Sequence, residues 1–258
     1  MDKPVVLHTI FEARYERGYR YLDHCGEVMV ILESLLGDAV GEKWWPDEMT
    51  PTRAKISCPA LDIVVSIDAY RMNVESMYNR DEFDFSDICQ RVHSTIVTRF
   101  DLQSFTRFGY RRIFGVGADS IEEAEKLSAK HSPCPDWPQN TPAGFSLVSS
   151  EVANVFENIE RSRGWRLSIG PSNKPEAPLQ VDERLKIPAR YLPTGQHEAL
   201  LERLKRQRAN SEDPLACLKI DIDFYIFRPE EPDPKEFIAW ASTLEDALKQ
   251  TAVRSISR

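Results

Sequence analysis

Hydrophobic and polar positions alternate with period two along CLKIDIDFYIF. Leu218, Ile220, Ile222, Phe224 and Ile226 fall on one side, and Lys219, Asp221, Asp223 and Tyr225 on the other. That is the pattern of a strand covered on one face and wet on the other. The same period runs through Leu61, Ile63, Val65 and Ile67 and on to Met72 and Val74, which predicts a meander with a turn near Asp68-Ala69 and a break at Pro59. Residues Val5 to Tyr15 are rich in β-branched and aromatic types and read as a strand ending at Gly18. In FTRFGYRRIFG, Phe108, Tyr110 and Phe114 share a face opposite Arg107 and Arg111.

Helical spacing or helix-start chemistry replaces alternation in five places. Val28, Ile31, Leu32, Leu35 and Leu36 form a stripe, with Asp23 as the expected cap and Gly37 as the expected left-handed terminus. Phe85, Ile88, Cys89, Val92, Ile96 and Phe100 form a second, started by Asp84 or Ser86, and Ser120 with Glu123 makes a capping box ahead of a short third helix. HEALLERLKRQRANSED reads as a short amphipathic helix carrying Arg203, Lys205, Arg206 and Arg208. The last helix has Asp233 as cap, Pro234 in its first position and Glu236 two residues on, followed by Phe237, Trp240, Ala241, Leu244 and Leu248.

Between His131 and Gly144 four prolines and no apolar period mark a linker. The expected organisation is therefore α+β, in two halves, each a mostly antiparallel sheet packed against helices. Residues 1–131 form the first half, 132–144 the linker and 145–258 the second. Strands at Val152 to Ile159 and Trp165 to Ile169 flank a turn at Ser162-Arg163-Gly164, and the Pro-rich GPSNKPEAPLQVDERLKIPARYLPTG reads as an exposed connector.

Composition narrows the chemistry. The chain has 258 residues and a net charge of −8, which favours solubility and opposes non-specific attraction to nucleic acid or anionic membrane. Five scattered cysteines imply no disulfide framework. The N-terminal stretch lacks a signal-peptide core and no apolar run is long enough to span a bilayer, so the expected compartment is the cytosol, with no membrane partner. The five histidines show no zinc spacing, and Gly115-Val116-Gly117 lacks the third glycine of a dinucleotide fingerprint, so no cofactor is implied.

Two groups of residues remain as candidate sites. Asp221 and Asp223 have the Asp-x-Asp spacing of some metal-dependent hydrolases and transferases, but a divalent cation needs further ligands and none stands at a fixed spacing. The preferred reading places both at the solvent side of a strand. Arg107, Arg111 and Arg112 on one strand, with Arg163 and Arg166 around Gly164, are candidates for tracking a phosphate backbone. Surface arginines also pair with the plentiful Asp and Glu, so protein partners, as other subunits or a homo-oligomer, are expected ahead of nucleic acid.

Three stretches in order, VVLHTIFEARY, RFGYRRI and LKIDIDFYIF with its terminal helix, resemble a sporadically distributed bacterial family of uncharacterised proteins. This chain departs from the family's usual opening at Pro4 to His8, and its middle region beyond Gly170 matches nothing in it. The resemblance implies an α+β fold and the patchy distribution shown by defence or mobile-element cassettes. It brings no established activity and no catalytic residues. The function expected from the whole reading is a non-catalytic interaction or adaptor subunit.

Overall fold

The computed structural model describes residues 4–77, 83–129, 152–158, 161–173, 182–209, 216–230 and 232–256. In chain order the elements are β1 (Val5–Tyr15), α1 (Tyr21–Val40), β2 (Trp45–Met49), β3 (Ala54–Cys58), β4 (Ile63–Ile67), β5 (Arg71–Met77), α2 (Phe85–Phe100), β6 (Phe105–Ala118) and α3 (Ile121–Ala129). Then come β7 (Val152–Asn158), β8 (Arg163–Asn173), α4 (Gln196–Ala209), β9 (Ala216–Phe227) and α5 (Pro234–Ile256). The fold is α+β, as the patterning predicts.

All nine strands join one antiparallel sheet in the order β2-β3-β4-β5-β1-β6-β9-β8-β7. The first and last strands of the first expected half, β1 and β6, pair near the centre from Val5–Gly115 to Tyr15–Phe105, and β6 pairs on its other side with β9 of the second half. The sheet is thus continuous where two sheets were expected. The linker drawn at 132–144 lies outside the described residues.

One face of the sheet is covered by helices, and the core lies there. Phe11 and Ala13 of β1, Met72 and Val74 of β5, Phe108 and Tyr110 of β6, and Ile220, Ile222 and Phe224 of β9 are buried against Leu32 and Leu36 of α1, Val92 and Ile96 of α2, and Phe237 and Ala241 of α5. Phe108 is the hub of an aromatic cluster, meeting Phe11, Phe105, His93 and Phe237 at ring distances of 5.4, 5.4, 5.5 and 6.0 Å. Such edge-to-face contacts add to the area burial itself.

Helix ends follow the local chemistry closely. The Asp84 side chain accepts the Ser86 and Asp87 amides at the start of α2, and Asp233 accepts those of Lys235 and Glu236 at the start of α5. Ser120 Oγ accepts the Glu123 amide at α3, while the Glu123 carboxylate reaches one residue further back, to the Asp119 amide. α1 differs from expectation at both ends: it starts at Tyr21 with Arg20 in the cap position and no side-chain cap bond, so Asp23 falls within the first turn, and it runs through Gly37 to Val40, where Gly41, at φ +69°, takes the left-handed position. Gly37 is only part-way along the stripe, and the apolar pattern gives no reason to stop until a residue free to adopt positive φ follows.

The Pro-rich connector is also anchored where it is described. Residues 182–195 form two 3₁₀ turns, Glu183–Lys186 and Ala189–Tyr191, followed by α4. Arg184 is clamped between Asp182 and Asp47 of β2. Arg203 donates to Asp62 at 3.0 Å, Arg206 to the Pro59 carbonyl, and Lys43 to the Thr194 carbonyl at 3.2 Å. The basic side of α4 therefore faces the β3–β4 turn, and this segment straps the β2 end of the sheet on the side away from α1, α2 and α5, where Trp45 lies under Gly195.

Candidate functional site

The face away from α1, α2 and α5 carries the candidate site, and its layout follows from strand register. Because paired residues share a face, the pairings lay out transverse rows. Arg71, Arg14, Arg107 and Phe227 form one row. The next is Asn73, Glu12, Gly109, Tyr225, Gly164 and Glu157. Then come Glu75, Ile10, Arg111, Asp223, Arg166 and Val155, and after them Met77, His8, Ile113, Asp221, Ser168 and Ala153.

Two glycines make a trough in the second row. Arg107 bends over Gly109, where a Cβ would collide with its guanidinium. From there it donates to Glu12 Oε1 at 2.7 Å and to both oxygens of Asp223 at 3.0 and 2.8 Å. Glu12 also accepts from Arg14 Nε at 2.8 Å, and the Arg71 guanidinium stands 3.8 Å away. One carboxylate thus holds together three arginines that register places side by side, an arrangement that would otherwise cost stability through like-charge repulsion. The Tyr225 ring lies over Gly164 and donates its hydroxyl to Glu157 at 2.7 Å. A row further on, Arg111 donates through Nε and Nη2 to the two oxygens of Asp221, a fork-to-fork pair.

The electrostatics differ along this ladder. Glu12 and Arg107 are largely shielded from water, with side chains 13% and 15% exposed, whereas Arg14 and Arg71 are half exposed. Burial pushes the Asp223 carboxyl above its ordinary value, more than Arg107 and Arg111 hold it down. The Tyr225 phenol is pushed up to about 12 by burial and by its bond to Glu157. On the β5 side His8 faces Glu75 at 3.4 Å, and that bond holds the Glu75 carboxyl below its usual range.

The sequence places Lys219, Asp221, Asp223 and Tyr225 on one strand face, and they occupy it. The expectation that the two aspartates simply meet water is corrected: Asp221 is 7% exposed and Asp223 is half-buried, each held by an arginine. Long guanidinium side chains from the neighbouring strand fold over them, which single-strand alternation does not reveal. Among the described residues no three His, Cys, Asp or Glu side chains gather to hold a metal ion.

The five candidate arginines divide between the faces. Arg107, Arg111 and Arg166 lie on the ladder face, Arg166 exposed opposite Asp223. Arg112 points to the helix side, donating to the Tyr110 hydroxyl at 2.9 Å and standing 3.7 Å from the buried Glu245 of α5. Arg163 also lies on that side, 5.4 Å from the Trp240 ring centre. Sequence reasoning missed Glu12, Arg14, Arg71, Tyr225 and Glu157. The available signal was Gly109 and Gly164, since glycine within a strand marks a place where something approaches the backbone closely.

Among the described residues no helix is long and apolar enough to cross a membrane. No protein-family model matches the chain, and no curated protein matches it either.

Proposed function

We propose that the protein is a non-catalytic interaction subunit of a bacterial cytosolic assembly, of the accessory kind found in defence systems, and that it presents the ladder face to another protein. The observation that carries this reading is Arg107 fixed between Glu12 and Asp223 over Gly109. Acids and bases here satisfy one another, with the Glu12 carboxylate set against the row of Arg71, Arg14 and Arg107 and each of Asp221 and Asp223 against an arginine. Such a surface is suited to specific recognition by complementary charge.

The groups that reactions would call on are committed elsewhere. Asp221 and Asp223 accept bonds from arginine. Burial pushes the Cys58 thiol up to about 11 and the Cys89 thiol well above its ordinary value, so both stay protonated and unreactive at neutral pH. His93 is enclosed by aromatic rings.

The test is affinity capture from the native host with the wild-type chain and with Arg166→Glu and Arg14→Glu, both exposed positions. A protein retained by the wild type and lost from both variants, with unchanged melting temperatures, is the expected result. Identical capture by all three chains overturns the reading.

A second reading, nucleic-acid binding, is favoured by the row Arg71, Arg14 and Arg107 with Arg166 beyond it. It predicts gel shifts that weaken steeply with salt. No shift at low ionic strength removes it.

A further inference from the structure

The two outer strands of the sheet are built differently. β2 contains Pro46, which offers no amide, a register shift between Pro46 and Glu48, and the carboxylates Asp47 and Glu48. Ser57 and Arg184 both donate to Asp47, so the strap lies against this edge as well. Proline, irregular register, charge and a covering segment are the means by which an edge strand avoids pairing with another chain.

Among the described residues β7 has none of them. Its sequence, VANVFEN, holds no proline and no basic residue, and it pairs with β8 in unbroken register from Val152–Ile169 to Asn158–Arg163. Its single acid, Glu157, is already bonded inward to the Tyr225 hydroxyl. Residues 153–158 are all exposed, Val155 at 60% and Phe156 at 46%. Phe156 lies against Trp165 of β8, rings 5.4 Å apart and 21° from parallel. Among the described residues no strand pairs with its outer side.

We propose that β7 is a dimerisation edge, where two copies of this chain pair antiparallel about a two-fold axis through Val155 and merge their sheets into one. This inference does not rest on the ladder face having a partner. The register it sets is self-complementary: Asn154 faces Phe156 of the second copy, Ala153 faces Glu157 and Val152 faces Asn158, so no like charges are opposed. The two Phe156 side chains become diagonal neighbours on one face, about 7 Å apart and within reach of each other, joining two Phe–Trp stacks into one row of four rings. On the other face Val155 meets its own copy, a favourable β-branched pair. Two chains of −8 each repel overall, but each copy brings only one carboxylate to this edge, and it is already bonded inward.

The experiment is light scattering and sedimentation of the full chain over a wide concentration range, beside Val155→Lys, which sets two ammonium groups against each other on the axis. Val155 is too exposed to bear on the monomer's core, and circular dichroism verifies that the variant is folded. The expected result is a wild-type dimer and a dissociation constant raised at least about tenfold in the variant. Amide exchange on the wild type needs no variant: protection of residues 153–158 should fall on dilution. A wild type monomeric throughout, a dimer indifferent to Val155→Lys, or β7 amides equally protected at every concentration, as when another segment or a peptide occupies the edge, each overturns the proposal.

Discussion

Arg107 occupies the space above Gly109 that any side chain at that position would need, and from there it joins Glu12 of β1 to Asp223 of β9. The ladder therefore depends on a residue that contributes no atoms to it. Gly109→Ala should lift the guanidinium from the strand and cost about 2 kcal/mol through the loosened bonds to two shielded carboxylates. Arg107→Met in the same background isolates the cause. If the glycine acts only through Arg107, urea unfolding will show strong non-additivity, with Gly109→Ala nearly neutral once the arginine is gone.

Gly164 makes a stricter version of the same demand. A Cβ there would lie 2.6 Å from the Phe156 carbonyl oxygen and 2.8 Å from the Tyr225 ring. A carbonyl within a paired strand cannot swing aside as a guanidinium can. Gly164→Ala should thus destabilise more than Gly109→Ala, while Tyr225→Phe, which removes only the bond to Glu157, should cost about 1 kcal/mol. Thermal unfolding of the three variants gives the order directly.

Strands and capped helices were legible because each is written locally. Alternation at Ile220, Ile222 and Phe224, and the caps at Asp84 and Asp233, concern residues within one element. The ladder is written in register, which couples Glu12, Arg107 and Asp223 across a hundred residues and more, and no local period encodes that. Alternation separates Arg111 from Arg112, but it does not name the partners they find across the fold: Asp221 for one and Glu245 of α5 for the other. β2 escaped notice because Pro46, Asp47 and Glu48, which protect an edge, are the residues that argue against a strand.

The strap offers a separate test. Asp62 is 4% exposed at φ +54°, and Arg203 of α4 donates to it. Arg203→Leu keeps the helix propensity but leaves that carboxylate without its guanidinium, at a cost of about 1–3 kcal/mol. Proteolysis of the native chain should then cut within α4 sooner than in the wild type. Equal cleavage rates would show that α4 is held without the Arg203–Asp62 pair, by its apolar contacts and the Arg206 bond to Pro59.

Thiol chemistry separates the cysteines. Cys25 is only partly buried, whereas Cys58, Cys89 and Cys217 are buried, with the first two thiols raised by that burial. Iodoacetamide at neutral pH, read by peptide mass spectrometry, should label Cys25 while these three remain unmodified until denaturant is added. Early labelling of Cys89 would mean that α2 opens readily.

His93 gives the chain a distinctive acid response. It lies 5% exposed on α2, with its ring 5.0 Å from Phe105 and 5.5 Å from Phe108, and among the described residues Nε2 has no hydrogen-bond partner. Burial lowers its pKa from 6.5 to about 4, against a weaker opposing pull from Asp233. The unfolded chain therefore takes up this proton near pH 6.5, and the folded chain only near 4. Stability is complete above pH 6.5 and declines as pH falls toward 4, by about 3 kcal/mol over the whole interval. The helix-capping carboxylate of Asp84, whose pKa is lowered by its bond to Ser86, is lost only at still lower pH. Asp223 and Glu245, whose carboxyls burial raises, act with the opposite sign as pH falls, so the histidine's share is read from the difference between the wild type and a His93 variant. His93→Leu keeps an apolar side chain of similar size in the aromatic nest and removes the titration. Urea midpoints measured from about pH 6.5 down to about 4 should fall with acid more steeply for the wild type than for the variant, and parallel slopes would place the acid sensitivity elsewhere.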